Sequence, residues 1–381
     1  MSINRYNRRE FLTIATACSV TALCPFPLFA QTHSKNIFVW ITLRGAMDGL
    51  NVAVPYGDKD YLALRPNIGL KKQQLLLLDD FFGLHPAMTQ SHKWFKAGEF
   101  SVVQACSTPY RSRSHFDGQK VLENGTDDPF HTDGWLNRLI ALDDSKNEGI
   151  AIDSGLPLIM QGGSKVASWY PNKLKTRDKQ TELLAEMFQS DEMLSANFDS
   201  VMKVDQLVGD ESVGKQFKSL MDKTGDILAA SDAPNIAALE LGGWDTHANQ
   251  GAEKGRLANQ LRALDTGLAS LRSSLGSSWN RTVIMVASEF GRTAAENGTK
   301  GTDHGTGNAM FIAGGAIKGG QVHTQWPGLS SSQLYQQRDL QPTTDMRSVI
   351  KGTLAAHLSL TSVQLNQVFP NSDDLPLFSF S

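Results

Sequence analysis

Cysteine is almost missing from this sequence: three residues in 381, at positions 18, 24 and 106. That excludes a disulfide scaffold and a structural four-cysteine zinc site. An excess of one charge is missing too. With 36 Lys and Arg against 39 Asp and Glu, the formal net charge is −3, so no sequence-wide basic field draws the chain to nucleic acid. Long apolar runs are lacking: beyond residue 30 nothing approaches the roughly 18 consecutive apolar residues of a membrane-spanning helix. There is no low-complexity tract and no internal repeat. The GxSxG elbow and the phosphate-binding P-loop are absent, and no GxGxxG follows the first strand. What is present, 40% hydrophobic and 20% charged residues, is a globular composition. A chain of this length buries roughly 75% of its unfolded surface, as one large domain or two ordinary ones.

The first thirty residues read as an export signal, not as part of the fold. Arg5, Arg8 and Arg9 precede an uncharged stretch from Phe11 to Ala30, which Pro25 and Pro27 interrupt. The run Asn7-Arg8-Arg9-Glu10-Phe11-Leu12 resembles a twin-arginine signal, the address of proteins exported folded, often with a metal or cofactor already loaded. Cleavage near Ala30 predicts a mature chain with 33 basic and 38 acidic residues and Cys106 as its one cysteine. An intrachain disulfide is then impossible, and a periplasmic or extracellular location is expected, with the twin-arginine machinery as the export partner.

Beyond the signal, strands stop at chemistry. Residues 36–43 (NIFVWITL), 100–104 (FSVVQ), 236–241 (IAALEL), 282–287 (TVIMVA) and 310–313 (MFIA) are short apolar runs of the kind buried on both faces of a sheet. Helical segments are expected between them, at 87–96, 115–124, 252–275 and 345–358. A polar, glycine-poor region around 178–232 reads as an inserted or capping helical bundle within a single domain of residues 31–381. Alternating strand and helix predicts an α/β fold, a mostly parallel sheet sandwiched by helices. In such sheets ligands bind beyond the carboxyl ends of the strands. Four of the five strands run into a loop holding Asp, His, Glu or Ser, and the fifth is preceded by one.

Those loops hold Asp48, Asp245, His247, Glu289, Asp303 and His304. Carboxylates mixed with imidazoles, without a thiolate, suit zinc, manganese or magnesium in hydrolytic work. Asp245 and His247, two residues apart in an extended loop, can face one ion. Asp303-His304 lies between Gly301 and Gly305, which lets the backbone bend around a metal. Ser114 stands where a strand-following loop meets a helix. There it is either a nucleophile at a helix N-terminus, where N–H groups favour an oxyanion, or simply an N-cap. Arg111 and Arg113 beside it, with Arg44 and Arg292 near the other loops, suit an anionic substrate, or they are solvated. Phe290 and Trp244 read as packing beneath the site.

The ordered motifs LRGAMDGLN (43–51), PYRSRSHFDGQ (109–119), DGWLNR (133–138), GGWDTHANQ (242–250), ASEFGRT (287–293) and GTDHGTGNAMFIAGG (301–315) resemble the bacterial domain-of-unknown-function 1501 family. That family is grouped with the alkaline-phosphatase superfamily of phosphatases, sulfatases and cofactor-independent phosphoglycerate mutases. The resemblance spans about Ile37 to Phe369. It implies an alkaline-phosphatase-like fold, with Asp48 as the first metal aspartate and Ser114 as the nucleophile. It also implies Asp245, His247 and His304 as ligands of one ion, with Asp303 as an extra ligand. Glu289 falls where an Asp-His pair normally ends a strand, and Phe290 replaces that histidine. Either Asp303 or His115 then supplies the missing ligand, or one ion binds in place of two.

Three functional readings follow. In the first, Ser114 attacks a phosphate or sulfate ester, with one ion on Asp48 and Glu289 and a second on Asp245, His247 and His304. Arg113 would hold the equatorial oxygens, and Arg44, Arg111, His115 and Arg292 would bind the small anionic ester. In the second, the site is catalytically inert, in a metal-stabilised binding or assembly protein of the cell envelope. In the third, Ser114 and His304 form a metal-free serine hydrolase.

Overall fold

β1 (Ile37–Leu43) alternates its side chains between two cores, as a strand buried on both faces must. Ile37, Val39, Ile41 and Leu43 enter one cluster, and Phe38 and Trp40 enter the other. Each fully buried side chain of this size contributes about 1.5–3 kcal/mol relative to exposure. The computed structural model describes residues 35–143, 147–171 and 216–379. The expected signal at 1–30, and most of the helical insertion expected near 178–232, lie outside the described residues.

The main sheet has nine strands among the described residues. The other eight are β2 (Phe100–Ser107), β3 (Gly149–Ala151), β4 (Val166–Ser168), β5 (Ile236–Leu241), β6 (Thr282–Ala287), β7 (Asn308–Ala313), β8 (Val322–His323) and β9 (Thr344–Asp345). Their order is β8-β2-β7-β6-β1-β5-β3-β4, with β9 on β2. All five strands expected from sequence form, and every pairing is parallel except the two made by β7, which runs against β6 and β2. One reversed strand in a mostly parallel sheet has a consequence for the site. The loop before β7 opens on the same sheet edge as the loops after β1, β2, β5 and β6.

Helices cover both faces. On one side lie α1 (Thr89–Lys96), α4 (Phe217–Ala229) and α5 (Arg256–Leu275); on the other lie α2 (His115–Asn124), α3 (Trp135–Ala141), α6 (Met346–Leu358) and α7 (Ser362–Val368). In α5 the buried residues Leu257, Leu261, Leu264, Leu268, Leu271 and Leu275 recur every three or four positions, which is the helical period. The expected helix at 115–124 has those bounds, and Gly125 ends it in the left-handed conformation (φ +69°) that favours glycine. Among the described residues no helix is long and apolar enough to cross a membrane.

Candidate metal centre

Three imidazoles meet over the carboxyl edge of the sheet. His115 is the first residue of α2, His247 lies in the loop after β5, and His304 lies in the loop before β7. Asp245, also after β5, stands among them. His247 Nε2 is 2.9 Å and His304 Nε2 3.4 Å from Asp245 Oδ1, and His115 Nε2 is 3.6 Å from Oδ2. His247 Nε2 and His304 Nε2 are 3.0 Å apart. One donor atom each from His115, Asp245 and His304 lies within 4.8 Å of the other two, and His247 touches two of these three.

The outer nitrogen of each ring has an acceptor. Nδ1 of His115 reaches Glu289 Oε1 at 2.7 Å, Nδ1 of His247 reaches Asp303 Oδ1 at 3.1 Å, and Nδ1 of His304 reaches the Arg113 carbonyl at 2.9 Å. A carbonyl or an ionised carboxylate only accepts, so Nδ1 carries a proton in all three rings, and every Nε2 faces the Asp245 carboxylate. If both Nε2 atoms of the His247–His304 pair are unprotonated, their lone pairs repel across 3.0 Å; a proton on His247 Nε2 is also within reach of Asp245 Oδ1. One proton relieves the His247–His304 pair but leaves the buried His115 Nε2 without a hydrogen-bond partner. A cation satisfies all four groups. Bonds of about 2.0–2.1 Å in a tetrahedral shell put donors about 3.3 Å apart; the three Nε2 atoms lie 2.9–3.6 Å from one or other Asp245 oxygen.

Outer contacts hold the donors still. Arg292, buried in the loop after β6, donates to Asp245 Oδ1 at 2.6 Å and binds Thr302 with its other nitrogens. Burial raises the proton affinity of Asp245, but the Arg292 guanidinium outweighs it and holds the carboxyl below the usual range. Burial works the same way on Glu289, where His115, Ser288 and the Gly45 N–H keep the carboxyl ionised and low. The hydrogen bond to Glu289 raises the His115 pKa against burial, whereas burial lowers that of His304. Phe290 stacks on His115 with ring centres 5.0 Å apart. This approach needs Gly118, where a Cβ would lie 2.9 Å from the Phe290 ring.

The structure thus brings together Asp245, His247 and His304 with His115, which the sequence left as a substrate-binding residue or a replacement ligand. Other expected site residues go elsewhere. Asp48 is buried; its Oδ2 accepts from Arg65 Nη1 and from Gln250 Nε2, both at 2.6 Å, and its Oδ1 has no hydrogen-bond partner among the described residues. Glu289 and Asp303 accept from the Nδ1 atoms of His115 and His247. Each of the four arginines has partners within the protein. Arg44 binds Glu240, Glu123 and Gln119; Arg111 donates to the carbonyls of Thr108 and Tyr110; Arg113 pairs with Asp339 at 2.7 Å. Arg292, in turn, holds Asp245. Ser114 occupies the N-cap position of α2 without a capping bond, and its hydroxyl has no hydrogen-bond partner among the described residues. His304 Nδ1 faces the Arg113 carbonyl and its Nε2 faces His247, and no hydrogen bond joins its ring to Ser114. Arg65, Gln119 and Gln250 escaped the sequence reading. Gln119, one helical turn after His115, carried a usable signal; Arg65 lies in a segment without a motif.

Glu123, further along α2, is buried beneath Arg44. Burial pushes its carboxyl up to about 7, opposed by Arg44 and helped by Glu240. A carboxyl with a raised folded-state pKa gives stability that is full below its unfolded value of about 4.5 and is lost as pH rises through about 7. Thermal melts of wild type and E123Q between pH 5 and 8 should therefore diverge, wild type losing ground to the variant as pH rises. A constant difference across that range would contradict the assignment.

The chain matches the family described as protein of unknown function (DUF1501) over residues 35–369. No curated protein matches it. Among solved structures it is similar to murine ectonucleotide pyrophosphatase/phosphodiesterase 5, in an inactive form with AMP, at 12% identity and a TM-score of 0.33 over 68% of this chain and 57% of that one. It is similar to a protein in the alkaline phosphatase superfamily from Vibrio parahaemolyticus at 12% identity and a TM-score of 0.37, covering 76% and 62% of the two chains. A sulfatase from Pseudoalteromonas sp. gives 13% identity and a TM-score of 0.41, with 98% and 77% covered. The chain spans less than two thirds of the length of the first two.

Proposed function

The chain belongs to the DUF1501 family, and from that membership and the geometry of the loop cluster we propose that it is a metal-dependent hydrolase of phosphate or sulfate esters. The observation that supports this reading is the convergence of three imidazole Nε2 atoms on the Asp245 carboxylate at 2.9–3.6 Å, with each Nδ1 held by an acceptor. Asp245, His115, His247 and His304 would hold one divalent ion. Three nitrogens and one oxygen suit zinc or manganese better than magnesium, which prefers oxygen ligands throughout. Bound there, such an ion supplies positive charge that polarises an ester oxygen and eases loss of a proton from a nearby hydroxyl.

The chain's own residues do the remaining work. Ser114, between the carbonyl that orients His304 and the donor His115, presents a half-buried hydroxyl at the start of α2. Its oxygen, giving its proton to solvent, would form the bond to phosphorus or sulfur as the bond from that centre to the ester's alcohol oxygen breaks and the alcohol takes up a proton from solvent. Water would then cleave the seryl ester and regenerate Ser114. Arg292 fixes Asp245, Glu289 fixes His115 and Asp303 fixes His247, so the donors need little reorganisation during turnover. The Asn7–Leu12 run supports export by the twin-arginine pathway to the periplasm or beyond.

A second reading has its own support. Arg44, Arg111, Arg113 and Arg292 are engaged inside the protein, and four protein donors fill a tetrahedral shell, as in structural zinc sites. That describes a metal-stabilised binding or assembly protein without turnover. Purified protein, metal-loaded or treated with a chelator, should be assayed against a panel of aryl phosphate and aryl sulfate esters. The hydrolase reading expects turnover that the chelator removes and metal restores. Tight metal binding with no hydrolysis of any ester would leave the second reading.

A further inference from the structure

Gln119 and Arg44 touch none of the four donors through an inward-facing atom, and the proposed chemistry leaves them without a role. We propose that Gln119, oriented by Arg44, is a positioning residue that sets the His115 imidazole for the metal; this rests on the metal-centre reading above. α2 places His115, Gln119 and Glu123 at intervals of four, on one helix face. The Gln119 amide oxygen accepts from Arg44 Nη1 at 2.5 Å, and its amide nitrogen donates to Glu289 Oε1 at 3.2 Å. Arginine only donates and an ionised carboxylate only accepts. The amide therefore has one satisfying orientation, since a flip would set its oxygen against Glu289 and its NH2 against the guanidinium. Arg44 in turn cannot swing, because Glu240 and Glu123 bind its remaining nitrogens.

The chain of contacts matters because of how His115 is otherwise held. Stacking on Phe290, at an interplanar angle of 26°, fixes the plane of the ring. It does not fix rotation within that plane, as a stacked contact has little preference about the ring normal. In-plane orientation comes from the 2.7 Å bond between Nδ1 and Glu289 Oε1. That oxygen is placed by two further donors, Gly45 N at 2.9 Å and Gln119 Nε2. Removing the Gln119 donor loosens Oε1, and with it the direction of the His115 Nε2 lone pair. Partners of this kind typically change metal affinity by about 10–100-fold.

Zinc affinity, by competition with a chromophoric chelator, should be measured for wild type, Q119L, Q119E, R44K and the double variant R44K/Q119L, with circular dichroism of each metal-free protein to establish folding. Q119L should bind zinc about tenfold more weakly, and Q119E more weakly still, because a second carboxylate would face Glu289. R44K should weaken binding in wild type but add less than about twofold to Q119L, since both changes break one chain of contacts. The ligand-field spectrum of cobalt-loaded Q119L should shift from that of wild type, a change that lost stability alone would not produce. Wild-type affinity and an unshifted spectrum in a folded Q119L and Q119E would overturn the positioning role while leaving the metal centre standing. Additive losses for R44K and Q119L would overturn the part given to Arg44. A wild-type chain that takes up no zinc would remove the metal centre itself, an outcome distinct from the others.

Discussion

Replacing His304 by alanine is expected to remove zinc binding at micromolar protein and metal while leaving the fold intact. His304 Nε2 lies 3.0 Å from His247 Nε2 and 3.4 Å from Asp245 Oδ1, closer to both than His115 is to Asp245. Its loss takes one of four donors and exposes the others to water. Changes in outer partners already cost about 10–100-fold in affinity, so loss of a donor should cost roughly 10³-fold or more, about 4 kcal/mol of binding. The metal-free stability should change little. The side chain is half-buried, and its hydrogen bond to the Arg113 carbonyl can be met by water. Titration of zinc with calorimetric detection checks this, and an H304A protein that binds one equivalent as tightly as wild type would count against His304 as a donor.

Replacing Ser114 by alanine should do the reverse: turnover of the active ester is lost and metal affinity is retained. In serine enzymes where the nucleophile has been deleted, kcat falls by about 10⁶, and a loss of at least 10³-fold is expected here. The Ser114 hydroxyl makes no hydrogen bond among the described residues, and α2 forms without a side-chain cap, so removing it should not disturb the helix that carries His115. Steady-state kinetics with zinc content measured on the same preparation separates the two effects. Unchanged kcat in the alanine variant would reassign the nucleophile, and a parallel fall in zinc content would make Ser114 a structural residue of the centre.

Why part of this site was legible and part was not follows from how each residue is placed. Apolar runs such as TVIMVA mark strands because a strand buried on both faces needs apolar side chains at every position, and the residues following them are set on one edge by the parallel sheet. That reasoning reaches Asp245 and His247 directly. It reaches His304 by a different route, since β7 is antiparallel and its leading loop, not its trailing one, opens on that edge. The direction of a strand is decided by its neighbours, which no local pattern encodes. Asp48 has a partner that the pattern does not show. It follows β1 as a metal aspartate should, yet Arg65, from a stretch with no recognisable pattern, takes its carboxylate in a buried ion pair. Removing either member of such a pair strands a charge, at a cost of about 3–5 kcal/mol, so the pairing gives Asp48 a structural reason to exist. Likewise a guanidinium beside a predicted ligand looks the same in sequence whether it awaits an anion or, like Arg292, already grips Asp245. Charge can be read from a string of residues; the identity of its partner depends on the fold.

The account stands on one claim, that His115, His247, His304 and Asp245 share a single divalent ion. X-ray absorption of the zinc-loaded wild-type protein tests it most directly. The expected result is one ion per chain in a shell of nitrogen and oxygen at about 2.0–2.1 Å with imidazole scattering, and a weaker imidazole contribution in any single-histidine variant that still loads. Zinc held without imidazole, or not held at all, would contradict it.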